Sequence, residues 1–358
     1  MTSRAPVRMT TRSVFSRVLS PTTAALCAVA LGACGSTSSS SQSTATVHQS
    51  PQQVAKQNSV PPPAVAELGA AENPVASDFP PAEGRSLTQL SNLVKTTANF
   101  GAANGGAFTP GEQRVAFGLT NQSGRYVYAP TALYIAPSPN VPAKGPYLAP
   151  ADPMTVAPQY RSEQNAGPNG IEAIYWSKVP VPGAGTFDLL AITRTRSGLI
   201  GSAGEIAAAA TSPIPGVGQR PPAISTLTLP DVHGNASLLT TRTPPEQMHS
   251  VSFNQVLGKR PIALLFSTPE LCTSRVCGPV TDVMVELQHQ FANRITFIHQ
   301  EIYVDNDPSK GLRPQMKAFH LETEPWLFAV NSRGLIAARL QGAFGLGEAR
   351  QALEAALG

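Results

Sequence analysis

The sequence predicts two folded domains, an all-β sandwich followed by an α/β fold, behind a disordered N-terminal tether. Three observations carry that expectation. Over 358 residues only 13% are charged and 6% aromatic, against 34 prolines and 29 glycines. Such a mixture excludes a helical bundle or coiled coil and fits β-rich domains joined by Pro/Gly/Ser linkers. From about 80 to 212 short apolar-alternating segments are broken by turn residues, the pattern of a sandwich. Beyond residue 222, apolar runs alternate with helical periodicity, as in an α/β unit.

The formal net charge of +4 misleads, because Arg4, Arg8, Arg12 and Arg17 all fall within residues 1–33, which hold no acid. The remainder is balanced. A neutral body has no field to gather polyanions, and nucleic acid is excluded as a partner.

Residues 1–33 read as a signal peptide: an Arg-rich polar start, then a short apolar core from Thr23 ending in small residues. That core is too short to span a bilayer of about 30 Å. Its end, Leu31-Gly32-Ala33-Cys34, resembles the bacterial lipobox. The resemblance implies cleavage before Cys34, a diacylglycerol on its sulfur, and an extracytoplasmic protein lipid-anchored to the cell membrane. Acyl burial contributes about 0.8 kcal/mol per methylene. The alternative is a plain secretory signal with Cys34 free. Residues 34–79 begin Ser/Thr/Gln-rich, pass through Pro61-Pro62-Pro63 and turn Ala-rich; a segment so poor in apolar side chains predicts a disordered tether.

Residues 80–212 carry the sandwich. Val115, Phe117 and Leu119 alternate as on a half-buried strand, Asn121-Gln-Ser-Gly124 reads as a turn, and residues 126–135 as the next strand. A Pro-rich excursion over 137–170 leads to further strands near 171–176, 185–192 and 198–208. The spacing, and the run Pro182-Gly-Ala-Gly-Thr-Phe187, resemble bacterial Ig-like domains. No cysteine pair lies inside this region, and its tyrosines and Trp176 read as core and strand faces, with an aromatic binding patch as the alternative.

Residues 213–222 form a Pro/Gly linker, and 223–358 the α/β domain. Residues 226–234 read as a strand and turn. The unbroken apolar run 262–266 suits a buried central strand. A helix follows with Val280, Val283, Met284, Leu287 and Phe291 on one stripe, starting at Gly278-Pro279. Strands at 295–303, 326–330 and 335–340, a short helix at 314–319 and a closing helix at 346–357 complete the order β-α-β-α-β-β-α.

The cysteines sharpen this reading. With Cys27 lost in the signal and Cys34 acylated, Cys272 and Cys277 are the pair left to the mature chain, and an oxidising compartment lets such a pair exist as a disulfide. Their place between the first strand and helix, together with Gly258-Lys-Arg-Pro261, Phe266-Ser-Thr-Pro-Glu-Leu-Cys272, Cys277-Gly-Pro279 and Glu324-Pro325-Trp326, resembles the exported thioredoxin-like families. These include peroxiredoxin, cytochrome-maturation and copper-chaperone branches. The resemblance covers the C-terminal domain only. It implies thiol–disulfide exchange with a protein partner, Cys272 as nucleophile, Cys277 as resolving thiol, a cis Pro325 facing them, and Glu324 and Trp326 shaping the substrate groove, with no cofactor and no metal.

Four residues separate the cysteines where thioredoxins have two. On an ideal helix such positions lie about 140° apart, so the pair is expected in the loop ahead of the helix. The helix N-terminus and Arg275 are expected to favour a thiolate, which by nearness to the helix would be Cys277; a carboxylate at Glu324 pointing inward would oppose it. A static loop disulfide in a non-catalytic envelope protein is the rival. A Cu(I) chaperone is a further alternative, but it asks for an imidazole near Pro325, where the nearest is His320; His299, alone in a strand, reads as a packed or surface residue. Met284 and Met316 read as core.

Overall fold

The computed structural model describes residues 65–165, 170–291 and 293–358. The signal peptide, Cys34 and the first part of the tether lie outside these residues. Among the described residues the chain is sheet-rich, with three sheets and six α-helices, and no helix is long and apolar enough to cross a membrane.

Two sheets occupy the N-terminal half. In one, strands run β1(Thr96–Thr97)-β9(Gly198–Ala208)-β8(Gly185–Thr195)-β4(Thr131–Ala136)-β5(Lys144–Leu148); in the other, β2(Asn99–Ala102)-β3(Gly111–Thr120)-β7(Ala173–Val181)-β6(Ala151–Pro153). Alternation decides which side chains meet: Val115, Phe117 and Leu119 of β3 share one core with Leu133 and Ile135 of β4 and Leu189 of β8. Tyr134 and Leu190 point the other way and are covered by Phe79, Leu87 and Leu90.

The expected tether is therefore shorter than predicted. Helix α1 (Val65–Glu72) and helix α2 (Leu87–Ser91) bracket a folded stretch in which Ala71 and Phe79 are buried. Composition hides this, because a few apolar residues suffice when an existing sheet face receives them. Two further expectations are corrected. The strand predicted over 126–135 begins only at Thr131, after Pro130, which has no N–H to donate to a ladder. The 137–170 excursion contains β5 and β6.

The third sheet has the order β11(Thr296–Gln300)-β10(Ile262–Phe266)-β12(Trp326–Val330)-β13(Ile336–Gln341), with β10 parallel to β11 and antiparallel to β12. Helices α3 (Phe253–Val256), α4 (Cys277–Phe291), α5 (Pro314–Ala318) and α6 (Leu346–Leu357) accompany it. Residues 226–234 form no strand; a 3-10 turn at Pro230–Val232 replaces it, since Pro230 cannot donate to a ladder. One sheet face, bearing Ile262, Leu264, Phe266, Trp326 and Phe328, packs around Phe253 and Phe319. The other, bearing Ala263, Leu265, Leu327 and Ala329, packs against α4 and α6.

That second core does not stop at residue 222. Ala116, Met154, Val156 and Ile174, on the outer side of the β2-β3-β7-β6 sheet, belong to it. Buried polar contacts tie the same boundary. Arg114 grips Glu348 of α6 with Nε–Oε1 at 2.6 Å and Nη2–Oε2 at 2.5 Å. Asp152 accepts from the Gly345, Gly347 and Glu348 N–H groups at 2.8–2.9 Å, supplying the cap that α6 lacks in its own sequence. Asp282 of α4 pairs with Arg242 at 2.9 Å and accepts from Ser162 and Asn165.

Candidate functional site: a buried thiol pair at the head of a helix

The cysteines sit where β10 hands over to α4. Helix α4 begins at Cys277 itself, one residue ahead of the predicted Gly278-Pro279, so only Cys272 lies wholly in the loop. The loop turns back on itself: the Arg275 N–H donates to the Cys272 carbonyl at 3.2 Å, and Arg275 takes a φ of 59°. This turn brings together two sulfurs that a continuous helix would separate. Both are free thiols; Cys272 is 7% exposed and Cys277 fully buried.

Their electrostatics are opposite. The Cys277 thiol donates to the Cys272 sulfur, and this outweighs burial; the Ser274 hydroxyl at 3.1 Å and the N–H groups of Cys277 and Val276 add to it. Together they lower the Cys272 thiol to about 5. Burial pushes Cys277 well above its ordinary value, aided by its own donated hydrogen bond and by the negative charges of Cys272 and Glu324. The Arg275 guanidinium is exposed and is not among the groups acting on Cys272. Thiolate stabilisation here comes from a neighbouring thiol, a hydroxyl and helix-end N–H groups, and it favours Cys272, not the cysteine nearer the helix.

Glu324 completes the group. A carboxylate oxygen of Glu324 and both sulfurs lie within 4.8 Å of one another. Burial, then the Cys272 charge and Glu301, raise its carboxyl to about 7. The Glu324–Pro325 bond is cis, and the Pro325 carbonyl accepts from the Gly342 N–H at 2.8 Å. Two sulfurs and a carboxylate are also a donor set for a thiophilic cation, but the imidazole that a copper chaperone asks for is not in it, and His320 is exposed and elsewhere.

Trp326 does not belong to this site. It is 1% exposed and points to the opposite sheet face, stacked on Phe328 at 5.8 Å with Arg339 5.9 Å from its ring. A partner at the cysteines cannot touch it, and the expected substrate-binding role is corrected. Met284 and Met316 are fully buried core.

Behind the thiols lies an array not legible beforehand. His249 Nε2 and His299 Nδ1 both donate to Glu246 Oε1, at 2.7 and 2.6 Å, and Thr240 donates to the other oxygen at 2.8 Å. Burial pushes Glu246 up, yet the His299 charge and the two imidazole hydrogen bonds hold it well below the usual carboxylate range. His299 is raised in turn: Glu246 and Glu301 outweigh its burial. His299 Nε2 lies 2.8 Å from Ser267 Oγ, which is 2.8 Å from Thr281 Oγ1, whose hydroxyl donates to the Cys277 carbonyl at 2.8 Å. A buried polar chain thus braces the first turn of α4. The one hint in the sequence was His299 directly after apolar Phe297-Ile298; Glu246 and His249 sit in a polar stretch without periodicity.

A cleft of about 570 Å³ adjoins the cysteine loop; neither Cys272 nor Cys277 lines it, but Ser274, whose hydroxyl is 3.1 Å from the Cys272 sulfur, does. Thr273, Ser274 and Val276 of the cysteine loop line it with Tyr303, Glu322 and Glu324; Phe100, Tyr126 and Ile171 face them from the N-terminal half. No protein-family model matches the chain, and comparison with curated proteins found no match.

Proposed function

We propose that the chain is an extracytoplasmic thiol–disulfide exchange protein, held at the membrane through lipid on Cys34, in which an Ig-like sandwich carries a thioredoxin-like domain. The β11-β10-β12-β13 order, with cysteines between β10 and α4, supports the thioredoxin-like assignment, and the two facing sheets built from β1–β9 support the Ig-like one. The observation that carries the activity is the opposed pair: a Cys272 thiol lowered to about 5 against a buried Cys277 raised well above its ordinary value.

Chemically, the Cys272 thiolate attacks a substrate disulfide, forming a mixed disulfide and releasing one thiolate. Loss of the Cys272 charge removes one of the causes that hold Cys277 up. Glu324, whose carboxylate lies within 4.8 Å of both sulfurs, accepts the Cys277 proton. Cys277 then attacks Cys272 and expels the second substrate thiolate. Two electrons pass from the dithiol to the substrate disulfide. Run in reverse, with Cys272 and Cys277 joined as the disulfide, the same geometry oxidises a partner dithiol.

Cys277→Ser expressed in its native compartment should accumulate mixed disulfides that a reductant releases, and the Cys272–Cys277 couple should have a potential above about −300 mV. A couple below that value, with no trapped species, would leave the pair as a static staple.

A further inference from the structure

We propose that the cleft between the sandwich and the cysteine loop is a substrate site for small disulfides that are neutral or cationic, and that it shuts out disulfides displayed on folded proteins. The inference rests on the exchange reading and names its substrate class. Three observations lead to it.

The first is occupancy. A protein substrate laid across the thiols would need the backbone flank at 323–325, and the N-terminal half already sits there. A Cβ on Gly105 would fall 1.8 Å from Thr323 Oγ1, and one on Gly342 would fall 1.7 Å from the Ala103 carbonyl, so backbone and loop meet with no space between them. Asn104 Nδ2 donates to the Gln341 carbonyl at 3.1 Å, and the Ala343 N–H donates to the Ala103 carbonyl at 2.9 Å. With its amide turned so that oxygen faces donors, the Gln341 side chain accepts from the N–H groups of Gly105, Gly106 and Ala107 at 2.8–2.9 Å. Residues 103–107 are fastened beside this flank through their bonds to Gln341 and Ala343.

The second is size. About 570 Å³ accommodates a compound of a few tens of atoms. The third is charge. Among the residues lining the cleft the charged ones are Glu322 and Glu324, and the walls are otherwise aromatic, aliphatic or neutral polar. Arg275, exposed and outside the lining, acts on Tyr126. An anionic disulfide approaching Cys272 would meet two carboxyls and the thiolate. A cationic one gains from all three, and the Phe100 and Tyr126 rings offer it a further cation–π surface.

In the reaction, Cys272 takes one sulfur of the bound disulfide, its partner leaves as a thiolate, and Cys277 closes the internal disulfide with release of the second. No further oxidant or reductant enters. The test is single-turnover oxidation of the fully reduced protein at low ionic strength by cystamine (dication), bis(2-hydroxyethyl) disulfide (neutral) and 3,3′-dithiodipropionate (dianion). Each rate is divided by that of the same compound with dithiothreitol. Cystamine should exceed the dianion by about tenfold, and salt should shrink the ratio. Glu322→Gln should narrow it about threefold, and equimolar insulin should stay oxidised. Equal normalised rates for all three compounds, or insulin reduced as fast as cystamine, would overturn the substrate assignment. If no compound oxidises the wild-type protein, while Cys272→Ser behaves identically, the exchange reading itself fails.

Discussion

Two buried polar regions flank α4, and they are built on opposite rules. At the seam with the N-terminal half, every charge is answered. Asp282 faces Arg242, whose guanidinium also donates to the Pro244 and Tyr160 carbonyls, and Asp152 spends its oxygens on three N–H groups. One turn away, at the cysteines, no basic side chain is among the causes acting on the group. Cys277 and Glu324 are both pushed up in pKa by burial and by each other's surroundings. At the seam buried charges are held in pairs, and at the thiol group burial displaces pKa values instead. Placing the second against the first lets a poised thiol pair exist without loosening the helix that carries it.

The largest effect should come from breaking the seam. Asp282→Ala strands the Arg242 guanidinium in an interior where both side chains are at most 4% exposed. A loss of about 3–5 kcal/mol is expected in urea or thermal unfolding, and a change within error would show that the pair is not structural. Asp152→Ala removes the cap of α6 and should cost about 1–3 kcal/mol, read by the same melts, with Asp152→Asn recovering part of it.

The thiol region should respond in pH profile more than in stability. In the wild type, iodoacetamide should alkylate Cys272 with a midpoint near 5. Cys277→Ala removes the thiol donor that heads the causes of that lowering, so the midpoint should rise by about one unit, equivalent to about 1.4 kcal/mol. An unmoved profile would assign the lowering to Ser274 and the helix end alone. A further pH effect concerns Glu324. Its folded value of about 7 lies above its ordinary 4.5, so its neutral form is the one the fold prefers. That contribution is complete below about 4.5 and is lost as pH rises through 7. Glu324→Gln should therefore match the wild type at pH 4 and gain on it steadily towards pH 8. A difference that does not grow with pH would mean the carboxyl is hydrated in the folded protein.

Legibility in the sequence followed the range of the interaction. The β10 run, the α4 stripe, the β12–β13 hairpin and the loop before α4 were readable because each is a local pattern of apolar period and turn residues. Trp326 was misplaced for a physical reason. Every residue of β12 is buried, so apolar side chains cover both faces and parity carries no mark of which face the cysteines adjoin. Arg275 was credited with a charge effect from its nearness in sequence, yet its side chain goes to solvent. The folded stretch beyond Val65 was read as tether because its few apolar residues find their surface only in strands far along the chain.

From the amino acids alone came the two sulfurs, their spacing, and a strand-to-helix junction to hold them, since covalent order and local backbone preference suffice for these. The tertiary structure decided which sulfur is acidic, that a carboxylate stands beside both, and that a second sheet covers the approach to them. Those properties depend on desolvation, on how the loop from Cys272 to Cys277 turns, and on contacts between residues tens to hundreds of positions apart, which local sequence pattern does not encode.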